Sequence, residues 1–246
     1  MKFLFCESHA LFAQNIQITG KQMNKEIYMV EGNTKETYEA FRQRIAAIVS
    51  VVHNELQPGA IKYTITESAP PRLSVIPFCK KKIAVISIYK SIRMPVQQLL
   101  NADGFRGAYH AEEAVPVAYD RHWKDGAVTP GVCLLTLFSK KKGLSYDLFI
   151  HRWHNGHTPL SLRIHPLWNY VRNEVKESIT PNAPAFNGIV EEQLRTPADL
   201  LNPFRFFGNP FIIIPRMITV YADTSSFIDY STMETYLAVE YHVRSV

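Results

Sequence analysis

Residues 132–138, Val-Cys-Leu-Leu-Thr-Leu-Phe, form a near-continuous apolar run, and the elements around that run decide the fold. A strand apolar on both faces is one that will be covered on both faces. A turn follows at 140–143, then Ser145 as a helix cap, then a helical pattern carrying Leu148, Phe149 and Trp153. Gly156 and Pro159 are expected to interrupt that helix, with a further helical turn through 160–164. Extended segments follow at 168–175 and 187–194. Thr196-Pro197 opens a helix with proline at its first position. Residues 203–215 and 217–227 read as less regular. The last strand is 235–243, where Tyr236, Ala238, Glu240 and His242 alternate with Leu237, Val239, Tyr241 and Val243.

The same order stands upstream. Residues 26–31 read as a strand, and Asn33 or Thr34 is placed to cap the next helix. Tyr38, Phe41, Ile45, Ile48, Val49 and Val52 recur at three and four along it, and Pro58-Gly59 stops it. Ile61, Tyr63 and Ile65 alternate as a strand that Pro70-Pro71 breaks. Residues 83–89 form another strand, 95–101 a short helix ended by Asp103-Gly104, and 105–117 a last extended segment. The order β-α-β-β-α-β is the ferredoxin-like unit, here met twice. The predicted fold class is therefore α+β, with tandem ferredoxin-like modules forming an intrachain α+β barrel. Each unit leaves one sheet face uncovered. Two units can bury those faces together, leaving a ligand cavity where packing is incomplete. The expected divisions are an N-terminal appendage at 1–22, a first module at 23–117, a connector at 118–131 and a second module at 132–246.

Composition narrows the function classes. The chain has 246 residues, 46% of them hydrophobic and 20% charged, enough to bury a real core. The net charge is +5, but the lysines and arginines are spread out, the tight runs being Lys80-Lys81-Lys82 and Lys140-Lys141-Lys142. A nucleic-acid binder would present a clustered basic face, so nucleic acid is not an expected partner. Cys6, Cys79 and Cys133 are odd in number and widely spaced, which suggests neither a disulfide framework nor a cysteine zinc site, and points to a reducing cytoplasm. No apolar run approaches the length of a membrane span, so no membrane is expected as a partner. The glycine-rich and nucleophile motifs of nucleotide-binding proteins, serine hydrolases and zinc proteases are absent.

Groups that bind ligands or move protons concentrate between Tyr109 and Tyr170, where six of nine histidines and all three tryptophans lie. His151, His154 and His157 invite a metal reading. On a helix, however, residues three apart drift around the axis by about 60° per step, so this spacing alone makes no ligand set, and no metal is expected. His157 is the candidate acid/base, because histidine titrates near neutrality. The plainer reading is a satisfied capping or core histidine. Trp153, Arg152, Tyr119, His110 and Trp168 are the candidate binding residues. For Tyr119 the plainer reading is an inter-domain linker pinned by Trp123. Glu112 and Glu113 point to opposite strand faces, so only one can meet a cavity.

The stretch 144–171, with Phe149, Trp153, His157, Pro159, Leu160, Leu167 and Tyr170, resembles the EthD domain. Residues 186–191 and 227–229 look like the family's later segments, and 115–121 with 129–132 resembles the connector of two-module members. The resemblance covers about 105–243, with 25–104 as a divergent first module. It implies a fold of the dimeric α+β barrel type, here within one chain. It also implies a small catabolic enzyme using cofactor-free acid/base or oxidoreductase-type chemistry on an apolar or aromatic small molecule. The alternatives are a non-catalytic ligand carrier or accessory protein of a monooxygenase pathway, and a haem-binding member of the same superfamily. A homodimer is a further expectation. The family pattern favours His157 and Trp153 over His151 and His154.

Overall fold

The computed structural model describes residues 24–90 and 93–245, so the expected appendage at 1–22 lies outside the described residues. Eight antiparallel strands close a barrel. They are β1 (Asn24–Glu31), β2 (Ala60–Ile65), β3 (Ile83–Lys90), β4 (Phe105–Val117), β5 (Val132–Lys140), β6 (Leu167–Ser178), β7 (Gly188–Leu194) and β8 (Ile228–Arg244). Around the barrel they run β1-β3-β2-β8-β5-β7-β6-β4 and return to β1. The first four strands thus lie in the order β4-β1-β3-β2, and the last four in the matching order β8-β5-β7-β6. The halves join through β2 with β8 and β4 with β6. Gly131, entering β5 against the end of β7, can only be glycine: its φ is +95°, and a Cβ there would stand 2.0 Å from the Leu194 carbonyl oxygen.

An eight-stranded barrel is just wide enough for side chains to fill. Ile27, Met29, Val85, Tyr109, Leu135, Ile189 and Tyr236, drawn from six strands, pack together inside it. Beyond this apolar plug the interior turns polar. Lys62 on β2 reaches across to Glu191 on β7 and to Glu240 on β8, at 2.9 Å each. Lys25 pairs with Glu113, whose carboxylate also accepts from Tyr89 at 2.6 Å. Burial pushes Glu113 up, but Lys25 and Lys62 outweigh that and hold it down to about 2. Among the described residues, the space between the two sheet faces, where a ligand cavity was expected, holds this apolar plug and an ion network.

Helices cover the outside. α1 (Tyr38–Leu56) buries Phe41, Ile45, Val49 and Val52 on the outer face of the first half. With α2 (Gln97–Leu100) it completes one continuous cluster with Tyr28, Ile61, Tyr63 and Ile86. Its cap is Thr37, whose Oγ1 accepts from the Ala40 amide at 3.1 Å. The expected capping residue Asn33 instead accepts from the Lys35 amide, so the helix starts a turn later than the sequence suggested.

The second half is covered by α3 (Tyr146–His151), a π-helical turn at Arg152–His157 and α4 (Thr158–Ile164), then by α5 (Pro197–Leu201), α6 (Pro203–Phe206) and α7 (Ile213–Ser225). The expected helix break at Gly156 does not occur. Instead the backbone widens, and the Thr158 amide and hydroxyl both donate to the Trp153 carbonyl. A wide turn lets Pro159, which has no amide hydrogen, enter without ending the helix. Residues 213–225, read as less regular, form a helix of 13 residues. Among the described residues no helix is long and apolar enough to cross a membrane.

Candidate active site on the outer face of the second half

The two halves differ in how their outer faces are packed. The first half has one cluster. The second has two: Leu134, Leu194, Leu200, Phe206, Phe207 and Ile213 form one, and Phe138, Phe149, Trp153, Tyr170, Val190 and Phe227 form the other. Between them lies a mostly apolar cavity of about 160 Å³. Its titratable walls are His157, His165, Tyr170 and Glu192, with Ser161, Thr136, Thr224 and Thr235 as hydroxyls.

The π-helical turn sets the central pair. Trp153 is buried, with its ring centroid 5.1 Å from that of Phe138. One turn later His157 faces Phe227 at 5.4 Å, and its Nδ1 meets Asp223 Oδ2 at 2.7 Å. A carboxylate can only accept, so Nδ1 carries the hydrogen of this contact, and in the neutral ring Nε2 holds the lone pair that can take a proton. Asp223 is delivered by α7, whose C-terminal end is tied down twice. Arg152 Nη1 donates to the Ser226 carbonyl at 2.6 Å and Lys141 Nζ to the Ser225 carbonyl at 2.7 Å. Cations there also answer the negative end of the helix dipole.

Glu192 stands on the outward face of β7, buried, with Ser161 Oγ donating to its Oε1 at 3.3 Å. Burial pushes its carboxyl up, and the neighbouring His157 pulls only partly back. A carboxyl shifted upward is stable as the acid, and its charged form costs the fold stability as pH rises above the unfolded value near 4.5. Glu192→Gln keeps a hydrogen-bonding partner for Ser161 and removes that cost. Thermal melts should show the variant more stable than wild type by a few degrees at pH 7, about 2–4 °C for each kcal/mol recovered, and equal to it near pH 4.

His165 stacks on Phe206 at 4.0 Å, and its Nδ1–H donates to the Phe206 carbonyl at 3.0 Å. Burial lowers it to about 4. A histidine depressed in the fold supports stability above the unfolded value near 6.5, and that support is lost as pH falls towards 4. Urea unfolding should register a loss of about 3 kcal/mol from this group over that window. His165→Gln should flatten the slope, and an unchanged slope would count against this assignment.

The remaining sequence candidates lie elsewhere. Arg152 pins α7 and does not line the cavity. Tyr119 and Trp168 stand at the barrel rim with Trp123, their ring centroids 5.2 Å apart. There Tyr119 donates to Glu240 Oε1 at 2.6 Å and lies 2.6 Å from His242 Nε2. His110 sits on the outer face of the first half, 3.9 Å from Glu26. Of the three spaced histidines, His151 meets Asn155 and His154 stands 4.0 Å from Glu174, so each faces its own partner. Among the described residues no three histidine, cysteine, aspartate or glutamate side chains gather as a metal set. Among the described residues that line the cavity, no lysine or arginine stands to meet haem propionates.

Asp223 and Glu192 were not singled out from the sequence. Asp223 falls 66 residues from His157, in the stretch without a readable period. Glu192 did carry a signal. Glu191-Glu192 sits in a strand covered on both faces, so one carboxylate was bound to meet the barrel and the other the helical layer.

No family model matches the sequence, and no curated protein matches it. Solved structures do. A protein named "anthrone oxidase-like protein" aligns over 92% of this chain and 93% of its own, with a TM-score of 0.55 and 8% identity. A "Putative monooxygenase" from Fusobacterium nucleatum aligns over 90% and 93%, with a TM-score of 0.50 and 9% identity. At these identities the likeness is one of fold.

Proposed function

We propose that this chain is a small cofactor-free enzyme whose His157–Asp223 pair removes a proton from an apolar, ring-containing substrate. The observation that carries the reading is that pair, closed at 2.7 Å, opening on an apolar cavity that also holds a buried carboxyl. The substrate C–H proton passes to His157 Nε2, and the bonding electrons stay on the substrate as an enolate or phenolate. In its acid form, towards which burial shifts it, Glu192 donates a hydrogen bond to the oxygen on which that charge develops. Trp153, Tyr170 and Phe227 supply a dry aromatic wall. The names of the two structural neighbours fit a first step of this kind, because oxidation of an anthrone begins at an acidic ring methylene. The matching strand orders of the two halves support reading each as a ferredoxin-like module, in an EthD-like two-module arrangement.

The test uses anthrone as the probe. In deuterated buffer without oxygen, wild-type protein should exchange the methylene protons faster than buffer does, as followed by proton NMR. His157→Gln should lower the protein-dependent rate by about 10²–10⁴-fold. Bound anthrone with no rate above buffer, or an unchanged rate in the variant, would reject the reading.

A further inference from the structure

Helix α7 carries two unlike faces. Its inner face builds the site: Val220 and Thr224 line the cavity, Ile213 is buried and Asp223 holds His157. Among the described residues its outer face is uncovered, and it is apolar. Ile214, Ile218 and Tyr221 are 60%, 63% and 62% exposed, and Phe211, in the turn just before the helix, is 93% exposed. Pro215, Thr219 and Ala222 are the exposed residues between them. The spacing of 211, 214, 218 and 221 is the three-four-three stripe by which helices pair. The two charged residues of α7 are both engaged elsewhere. Arg216 donates to the Phe207 carbonyl at 2.9 Å, and Asp223 meets His157. A helix side left to water carries charge, and an exposed apolar patch of this extent marks a contact surface.

We propose that this stripe is a homodimer interface, with α7 packed antiparallel on α7 of a second copy about a two-fold axis near Ile218. Three observations favour a second copy. A single uncharged apolar stripe is complementary to itself, which is what a two-fold interface requires. Its composition, aromatic and aliphatic with no charge, is that of an interface centre. Its area is also sufficient. Aromatic side chains such as Phe211 and Tyr221 offer roughly 150–250 Å² each, and Ile214 and Ile218 with the exposed Pro215, Thr219 and Ala222 add to this, so the face presents on the order of 600 Å² per chain and about 1,200 Å² for the pair, the lower range of stable interfaces. A helix lying on a lipid surface would carry lysine or arginine along its polar side, whereas the side of α7 opposite the stripe is built into the cavity wall. The proposal stands independently of the role given to His157.

Light scattering coupled to size exclusion, on the full chain from micromolar to tens of micromolar, tests it. The expected wild-type mass at the upper end is twice the 28.2 kDa of one chain. Ile218→Glu should be monomeric throughout with an unchanged circular dichroism spectrum. Tyr221→Lys should weaken dimerisation at least tenfold and guards against a folding defect in the first variant. A monomeric wild type across the range, or an Ile218→Glu protein that stays dimeric, would overturn the proposal. So would a monomeric wild type that co-sediments with phosphatidylcholine–phosphatidylglycerol vesicles, which would assign the stripe to lipid.

Discussion

Replacing Lys62 by methionine is expected to cost the fold about 3–5 kcal/mol, the usual loss when one partner of a buried ion pair is removed. Lys62 lies inside the barrel with Glu191 and Glu240, all three side chains buried, and bridges both carboxylates at 2.9 Å. The other oxygens have further partners, among them Tyr119, which donates to Glu240 Oε1 at 2.6 Å, and His242, whose Nε2 lies 3.1 Å from the same oxygen. Thr64 donates to Glu191 at 2.6 Å, and Thr129 to Glu240 at 3.1 Å. Burial pushes Glu240 up, but Lys62 and His242 together more than offset this and hold it well below the usual carboxylate range. Burial in turn pushes Lys62 down, and Glu191 with Glu240 raise it further than that. Methionine fills the stem of the lysine but takes away the cation that Glu191 and Glu240 share. Adding Glu191→Gln and Glu240→Gln to Lys62→Met should restore part of the loss, because no buried charge is then left alone. Urea unfolding at pH 7 measures both. A loss below about 1 kcal/mol for Lys62→Met would mean that the network is hydrated and contributes little.

Asp223→Asn is expected to lower turnover by about 10²–10⁴-fold while leaving the fold and the KM close to wild type. Aspartate can only accept from His157, so the proton sits on Nδ1 and Nε2 is basic. Asparagine can turn its amide nitrogen towards Nδ1, which moves the proton to Nε2 and removes the base. The change is nearly isosteric, and Arg152 and Lys141 still tie down the end of α7. A variant within a few-fold of wild-type turnover would show that Asp223 only packs against His157.

Much of the fold was legible because local signals and global order agreed. The apolar run at 132–138 became β5, and the alternation at 235–243 sorted as written: Tyr236 and Ala238 pack inside the barrel, while Leu237 and Val239 join the outer clusters. Trp153 and His157 stood out through the resemblance to the EthD domain, and the π-helical turn puts both on the cavity. What failed to show has physical causes. The π-helical turn replaces a break that Gly156 and Pro159 would otherwise announce. Helix α7 opens on Ile213-Ile214-Pro215, whose β-branched and proline residues disguise a helix that tertiary contacts support. Closeness in sequence also misled. Trp168 lies two residues from Tyr170, yet its indole belongs to the rim with Tyr119, while Tyr170 lines the cavity.

The central claim is that the working site is the outer-face cavity of the second half. A crystal structure of the full chain soaked with anthrone tests this most directly. The account predicts ligand density between Trp153, Tyr170 and Glu192, with a substrate atom within hydrogen-bonding distance of His157 Nε2. Density at the barrel rim, beside Tyr119, Trp168 and Glu240, with the His157 cavity empty, would contradict it.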